Sequence, residues 1–186
     1  ADVARSLPKA LHRLGHEVIV ITPLYEQIIG KEKYHLKLIF ENVKINLAEN
    51  NAATVNYWKG YLMKGLPVYF VENKKYFSKS KNVYGSSHEN ARFFTFNMAA
   101  LKLAALLEFG ADIIHCHDWH TGLIPYILKN DPLYAESDLF KKIKVVFTIH
   151  NLAFQFGGNW WEAPREKRDN GKTKLPAIDN PDFEYI

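Results

Sequence analysis

The sequence predicts an α/β protein built on a doubly wound, mostly parallel sheet. Three observations carry that expectation. Apolar, β-branched runs bounded by turn residues, HEVIVITP at 16–23 and IKVVFTIHN at 143–151, read as strands buried on both faces, the mark of parallel pairing. Segments of helical period alternate with such runs. Polar residues collect just past two of the strands, at 115–120 and 150–151, where an open α/β sheet binds its ligands.

Taken in order, residues 3–14 place Val3, Leu7, Ala10, Leu11 and Leu14 at helical spacing, with Gly15 as a stop. Pro8 falls inside this pattern and should kink the helix or mark its true start. After the strand at 16–23, residues 34–71 change character. YHLKLIFENVKINL, ATVNYWKGYLMKG and LPVYFVEN alternate, with turn signals at Asn50-Asn51 and Gly65, so a β-rich and partly antiparallel insertion is expected. Residues 88–108 predict a long helix, with Ser86 or Ser87 as N-cap and Gly110 near its end. ADIIHCHD then predicts a strand, WHTGLIPYILKN a helix, and IKVVFTIHN another strand. Residues 156–186, with Gly157-Gly158, Pro164, Pro176 and Pro181, predict an irregular excursion.

The chain of 186 residues fits one domain with a sizeable core. Its net charge of +4 comes from scattered lysines without a run of like charges, which argues against a nucleic-acid partner. Cys116 is the single cysteine, so no intrachain disulfide forms and a reducing compartment is expected. No apolar stretch is long enough to span a membrane, and no signal peptide is visible. ADVARSLPKAL reads as a helix already under way, and the strand that should precede it is missing. A piece of a longer protein is therefore expected.

The segment His115-Cys116-His117-Asp118-Trp119-His120 is open to three chemistries. A metal site would use His115 and His117, which share a strand face, but the spacing differs from that of the His-x-His-x-Asp-His metallo-hydrolases, and His150 is the only distant candidate ligand. A nucleophile would have to be Cys116, which points away from the histidines and toward the core. A sugar site would take hydroxyls on Asp118, a wall from Trp119, and helix N–H groups near Thr121-Gly122. His115 reads best as a buried, hydrogen-bonded core histidine. No carboxylate pair is spaced for a covalent glycosyl intermediate.

ADVARSLPKALHRLGHEVIVITPLY, DIIHCHDWHTGLIPYILK and VVFTIHNLAFQ together resemble the amino-terminal domain of the bacterial glycogen synthase and plant starch synthase family. VYGSSHENARFFTFNMAAL resembles another of its helical regions. The resemblance spans roughly residues 1–155. It implies the amino-terminal half of a GT-B glycosyltransferase, in which two Rossmann-like domains face each other. The implied activity is retaining transfer of glucose from ADP-glucose, or UDP-glucose, to the non-reducing end of an α-1,4-glucan. No cofactor and no metal are implied. The resemblance assigns Asp118 and His150 to the active site, and Asp2, Tyr84, Trp119, His120 and Asn151 to substrate binding. It also implies that the family's Lys-x-Gly-Gly loop and nucleotide domain lie outside these residues, so that this piece alone is inactive. It places the protein in the cytoplasm, with a plastid as the alternative. After Gln155, FGGNWWEAPREKRDNGKTK departs from the family pattern. A sucrose- or trehalose-phosphate-type synthase, a metal-dependent hydrolase and a non-catalytic glucan-binding module are the rival readings.

Overall fold

The computed structural model describes residues 2–78, 83, 89–152, 163–168, 176, 178, 180 and 183. The chain divides into two compact units, one formed by residues 1–44 and 54–83, the other by 45–53 and 84–186.

In the first unit, helix α1 (Asp2–Arg13) precedes strand β1 (Val20–Pro23). The helix runs on through Pro8. This proline lacks the N–H that would reach the carbonyl of Ala4, an exposed residue of the first turn. Strands β2 (Lys37–Ala48), β3 (Asn51–Met63) and β4 (Leu66–Glu72) follow, residues 45–53 at the end of β2 and the start of β3 being grouped with the second unit, and the sheet order is β1-β4-β3-β2. β4 pairs parallel with β1, Val20 opposite Val68, and antiparallel with β3, Tyr57 opposite Val71. The β-rich segment is thus partly antiparallel, and its last strand joins the parallel pairing directly.

The turn between β3 and β4 needs Gly65, whose φ of +80° suits a residue without Cβ. β4 is buried along nearly its whole length. Leu24, Val68 and Phe70 form a core packed by Val20, Ile29, Leu36, Trp58 and Leu62. β1 is half-buried rather than buried on both faces. At the carboxyl end of β4 the buried Glu72 accepts hydrogen bonds from Lys31 Nζ at 2.5 Å, Trp58 Nε1 at 2.8 Å and Asn56 Nδ2 at 2.9 Å.

The second unit centres on α2 (Glu89–Leu106), in which fifteen of eighteen residues are buried. A helix apolar on nearly every face has to lie inside its unit. Two of its buried polar side chains bond to main-chain carbonyls: Thr95 Oγ1 donates to that of Ala91 at 2.8 Å, and Asn90 Nδ2 to that of Phe183, 93 residues along the chain, at 3.0 Å. The candidate caps Ser86 and Ser87 lie outside the described residues. Strand β5 (Ile113–His117), a 3-10 turn (Trp119–Thr121), helices α3 (Ile124–Asn130) and α4 (Pro132–Ala135), and strand β6 (Lys144–Thr148) follow. β5 and β6 form a parallel pair, from Ile113 opposite Lys144 to His117 opposite Thr148. β6 was expected to be buried on both faces, yet Val146 and Phe147 are exposed. Among the described residues this sheet holds two strands, so part of its apolar surface is uncovered.

Most of the excursion at 156–186 lies outside the described residues; Arg165–Lys167 form a short 3-10 turn. No described helix is long and apolar enough to cross a membrane.

Candidate functional site

Parallel pairing in register makes β5 and β6 finish side by side, and the residues just beyond them become neighbours. Asp118 extends the ladder by donating its N–H to the Thr148 carbonyl at 2.9 Å. Its Oδ1 accepts the main-chain N–H of His150 at 2.7 Å. The two strand ends, 32 residues apart in the chain, are joined by this bond.

Asp118 has φ 58° and ψ 178°, a region costing a residue with Cβ on the order of 1–3 kcal/mol. Several bonds hold it there besides the two already named. The Asp118 carbonyl accepts from Thr121 N at 3.1 Å and from Thr121 Oγ1 at 3.3 Å. Thr121 Oγ1 also accepts the N–H of His117 at 2.7 Å. Strain maintained by so many contacts is characteristic of working positions.

Helix α2 supports the turn that follows. Trp119 meets the Phe93 ring edge-to-face at 5.0 Å, and His120 lies 4.3 Å from Trp119 and 4.5 Å from Phe93. Asn97 Nδ2 donates to the His120 carbonyl at 2.9 Å. Burial, helped by the Arg92 charge and opposed by Asp118, pulls His120 down to about 4, so its imidazole is neutral at physiological pH.

Three imidazoles form a row across the strand ends. His115 and His117 stack at 4.3 Å with planes 23° apart, and His117 and His150 follow at 5.1 Å and 19°. His117 Nδ1 lies 2.9 Å from His150 Nε2. Burial and the neighbouring His115 and His150 lower the His117 pKa, against an upward pull from Asp118. His115 Nε2 contacts Thr148 Oγ1 at 2.7 Å, so this histidine is half-buried and hydrogen-bonded. Among the described residues no three His, Cys, Asp or Glu side chains are grouped to hold a metal ion. Cys116 is buried, which pushes its thiol up to about 11 against a hydrogen bond from Thr121; it is not a thiolate nucleophile at neutral pH.

The structure therefore brings together Asp118, Trp119, His120, His150 and Asn151. Trp119 is half-buried, with one edge committed to α2, and Asn151 is exposed beside His150. Asp2 is exposed in the first turn of α1 and belongs to the other unit. Tyr84 lies outside the described residues. The helix N–H groups expected near Thr121-Gly122 are not open to a ligand. They close the 3-10 turn, Thr121 N to the Asp118 carbonyl and Gly122 N to that of Trp119, and α3 begins only at Ile124. The sequence offered His117 only as a metal ligand and Thr121 only for its main-chain N–H; that His117 meets His150 and that the Thr121 hydroxyl fastens the turn follow from the strand register and the 3-10 turn.

The family model for the starch synthase catalytic domain matches residues 1–184. The chain belongs to the starch synthase catalytic domain family. Curated relatives include the glycogen synthase of Photobacterium profundum, 42% identical over 161 residues, and that of Bacillus subtilis, 39% identical over 166. Each alignment covers 83% of this chain and 30% or 31% of the relative, so the chain spans under a third of the length of these synthases. The catalytic domain of starch synthase IV from Arabidopsis thaliana, solved bound to ADP and acarbose, matches with a TM-score of 0.70 at 33% identity, over 81% of this chain and 30% of that one. The fold is accordingly the mixed α/β type with parallel strand pairs shared by that catalytic domain.

Proposed function

We propose that the chain contributes the acceptor-side, Rossmann-like part of a retaining GT-B glucosyltransferase, in which ADP-glucose is the donor and an α-1,4-glucan the acceptor. One observation carries the reading: Asp118, strained at the end of β5, holds the His150 N–H at 2.7 Å at the end of the neighbouring parallel strand. Paired polar groups at adjacent carboxyl ends are where an open α/β sheet binds ligands. Family membership supports a synthase, and the ADP and acarbose bound by the Arabidopsis relative support an adenine nucleotide and a sugar.

In glucosyl transfer the bond from the sugar's anomeric carbon to the donor phosphate oxygen breaks, its electron pair leaves with the nucleoside diphosphate, positive charge spreads over the ring, and an acceptor hydroxyl oxygen bonds to that carbon while its proton passes to the departing phosphate. Asp118 accepts hydrogen bonds from sugar hydroxyls and places negative charge near the flattening ring. His150 binds a hydroxyl through its ring, with Asn151 beside it. Trp119 and His120 form the wall, and the neutral state of His120 avoids adding positive charge there. The family resemblance assigns Asp2 and Tyr84 to substrate binding as well. The protein works in the cytoplasm, or in a plastid.

The test measures incorporation of labelled glucose from ADP-glucose into glycogen by the whole protein. Asp118→Asn and His150→Ala should each lower kcat by roughly a hundredfold, with little change in donor KM. Folded variants with normal turnover would remove both residues from the chemistry. A preference for UDP-glucose would favour another GT-B synthase.

A further inference from the structure

We infer that His117 is a positioning residue for His150: it anchors one ring nitrogen and so directs the other toward the sugar. The inference rests on the reading of His150 as a substrate-binding group and adds a residue that the sequence resemblance leaves without a role.

The geometry is specific. His117 lies within β5, and its main-chain N–H is tied to Thr121 Oγ1 at 2.7 Å. His115 stacks on its ring at 4.3 Å, and His115 is itself fastened to Thr148 at 2.7 Å. The His117 ring is thus backed from within the strand pair. His150, by contrast, lies on an exposed segment beyond β6. An exposed imidazole with no side-chain contact would sample several rotamers, and each misplaced orientation weakens a hydrogen bond to substrate. Two contacts restrain His150: its main-chain N–H on Asp118 Oδ1 at 2.7 Å, and its Nε2 against His117 Nδ1 at 2.9 Å. The first places the backbone and the second sets the ring.

An imidazole has two nitrogens, and a neutral one carries a single proton. With Nε2 of His150 engaged by His117, Nδ1 is the nitrogen left to meet a glucose hydroxyl. The two rings share one proton across their contact, so the tautomer of His117 dictates that of His150. Burial lowers the His117 pKa and so favours its neutral form; the contact itself needs only one of the two rings to present an unprotonated nitrogen. Were both rings protonated, two N–H donors would face each other and the contact would open.

Three substitutions at His117 separate this role from simple packing. Asn places a side-chain amide where Nδ1 stands, Gln places one where Nε2 stands, and Phe keeps a flat ring for His115 but offers no hydrogen bond. In the whole protein, His117→Phe should lower kcat by about tenfold to a hundredfold with KM changed less than about threefold. His117→Asn should recover turnover to within about fivefold of wild type, and His117→Gln should not. In a His150→Ala background, His117→Phe should have no further effect on kcat, because the residue it positions is gone. Wild-type turnover in His117→Phe beside an impaired His150→Ala overturns this inference alone. Equal losses in the Phe and Asn variants also overturn it, since the Nδ1 contact would then not be the cause. A normal His150→Ala overturns the sugar-site reading and this inference with it. Melting temperatures for each variant show whether any loss of turnover is only a loss of fold.

Discussion

Glu72 offers the sharpest quantitative test of the packing. Its side chain is 7% exposed, and burial alone would raise its pKa. Hydrogen bonds from Lys31, Trp58 and Asn56, with Glu26 adding to the network, overcome that and bring it from the ordinary 4.5 down to about 2. At about 1.4 kcal/mol per pH unit, this difference is worth about 3 kcal/mol to the folded state at neutral pH. Because the folded pKa is depressed, the contribution is fully present above about 4.5 and is lost as pH falls toward about 2. Glu72→Gln keeps the shape but replaces one acceptor oxygen with a donor, which must face either Lys31 or the Trp58 and Asn56 N–H groups. Urea unfolding at pH 7 should show the variant less stable by about 3 kcal/mol, and the gap between the proteins should shrink steadily toward pH 2.5. A gap below about 0.5 kcal/mol at pH 7, the scale of an exposed ion pair, or a gap indifferent to pH, would refute the reasoning.

Other outcomes follow from the second unit. His120, held near 4 by burial, should stay neutral in an NMR titration down to about pH 5; since the unfolded chain takes its proton near 6.5, this residue's contribution to stability is lost as pH drops from about 6.5 to about 4. Asp118→Gly should melt above Asp118→Ala by the equivalent of about 1–3 kcal/mol, because both lose the bond to His150 while only glycine relieves the backbone at φ 58°; equal melting would show no strain there. Cys116, buried with its thiol near 11, should react with a thiol reagent only after unfolding, and fast modification of native protein would contradict its placement.

Legibility from sequence tracked how local each feature is. α2 and the strand at β5 followed from apolar period and flanking residues, and both appear within a few residues of their expected bounds. The pairing of β4 was hidden. LPVYFVEN reads the same whether it lies in an insertion or beside β1, because the choice of partner is made across more than forty residues. Pro8 does not mark the start of the helix, because α1 already begins at Asp2. At the site, Asp118 and His150 were visible as polar groups after apolar runs, and their contact required the register of β5 on β6. The row of imidazoles was not visible. His115 and His117 share a face by alternation, but His150 joins them only through the strand pairing, 33 residues away.

The ladder between β5 and β6 also decides where the chain can change length. Inserting or deleting one residue in either strand would shift one end by about 3.3 Å and turn the side chains beyond it to the opposite face. Asp118 and His150 would then no longer meet. The connection from Asp131 to Ile143 carries no such constraint. It begins with Asp131 capping α4 through the Leu133 N–H and passes through turns before Lys144 rejoins the ladder at Asp112. Changes of length there that keep Tyr134 and Phe140 buried leave the register of the two strands unchanged. Variation in size among homologous chains should therefore gather on that side of the unit, leaving the junction of Asp118 with His150 at constant dimensions.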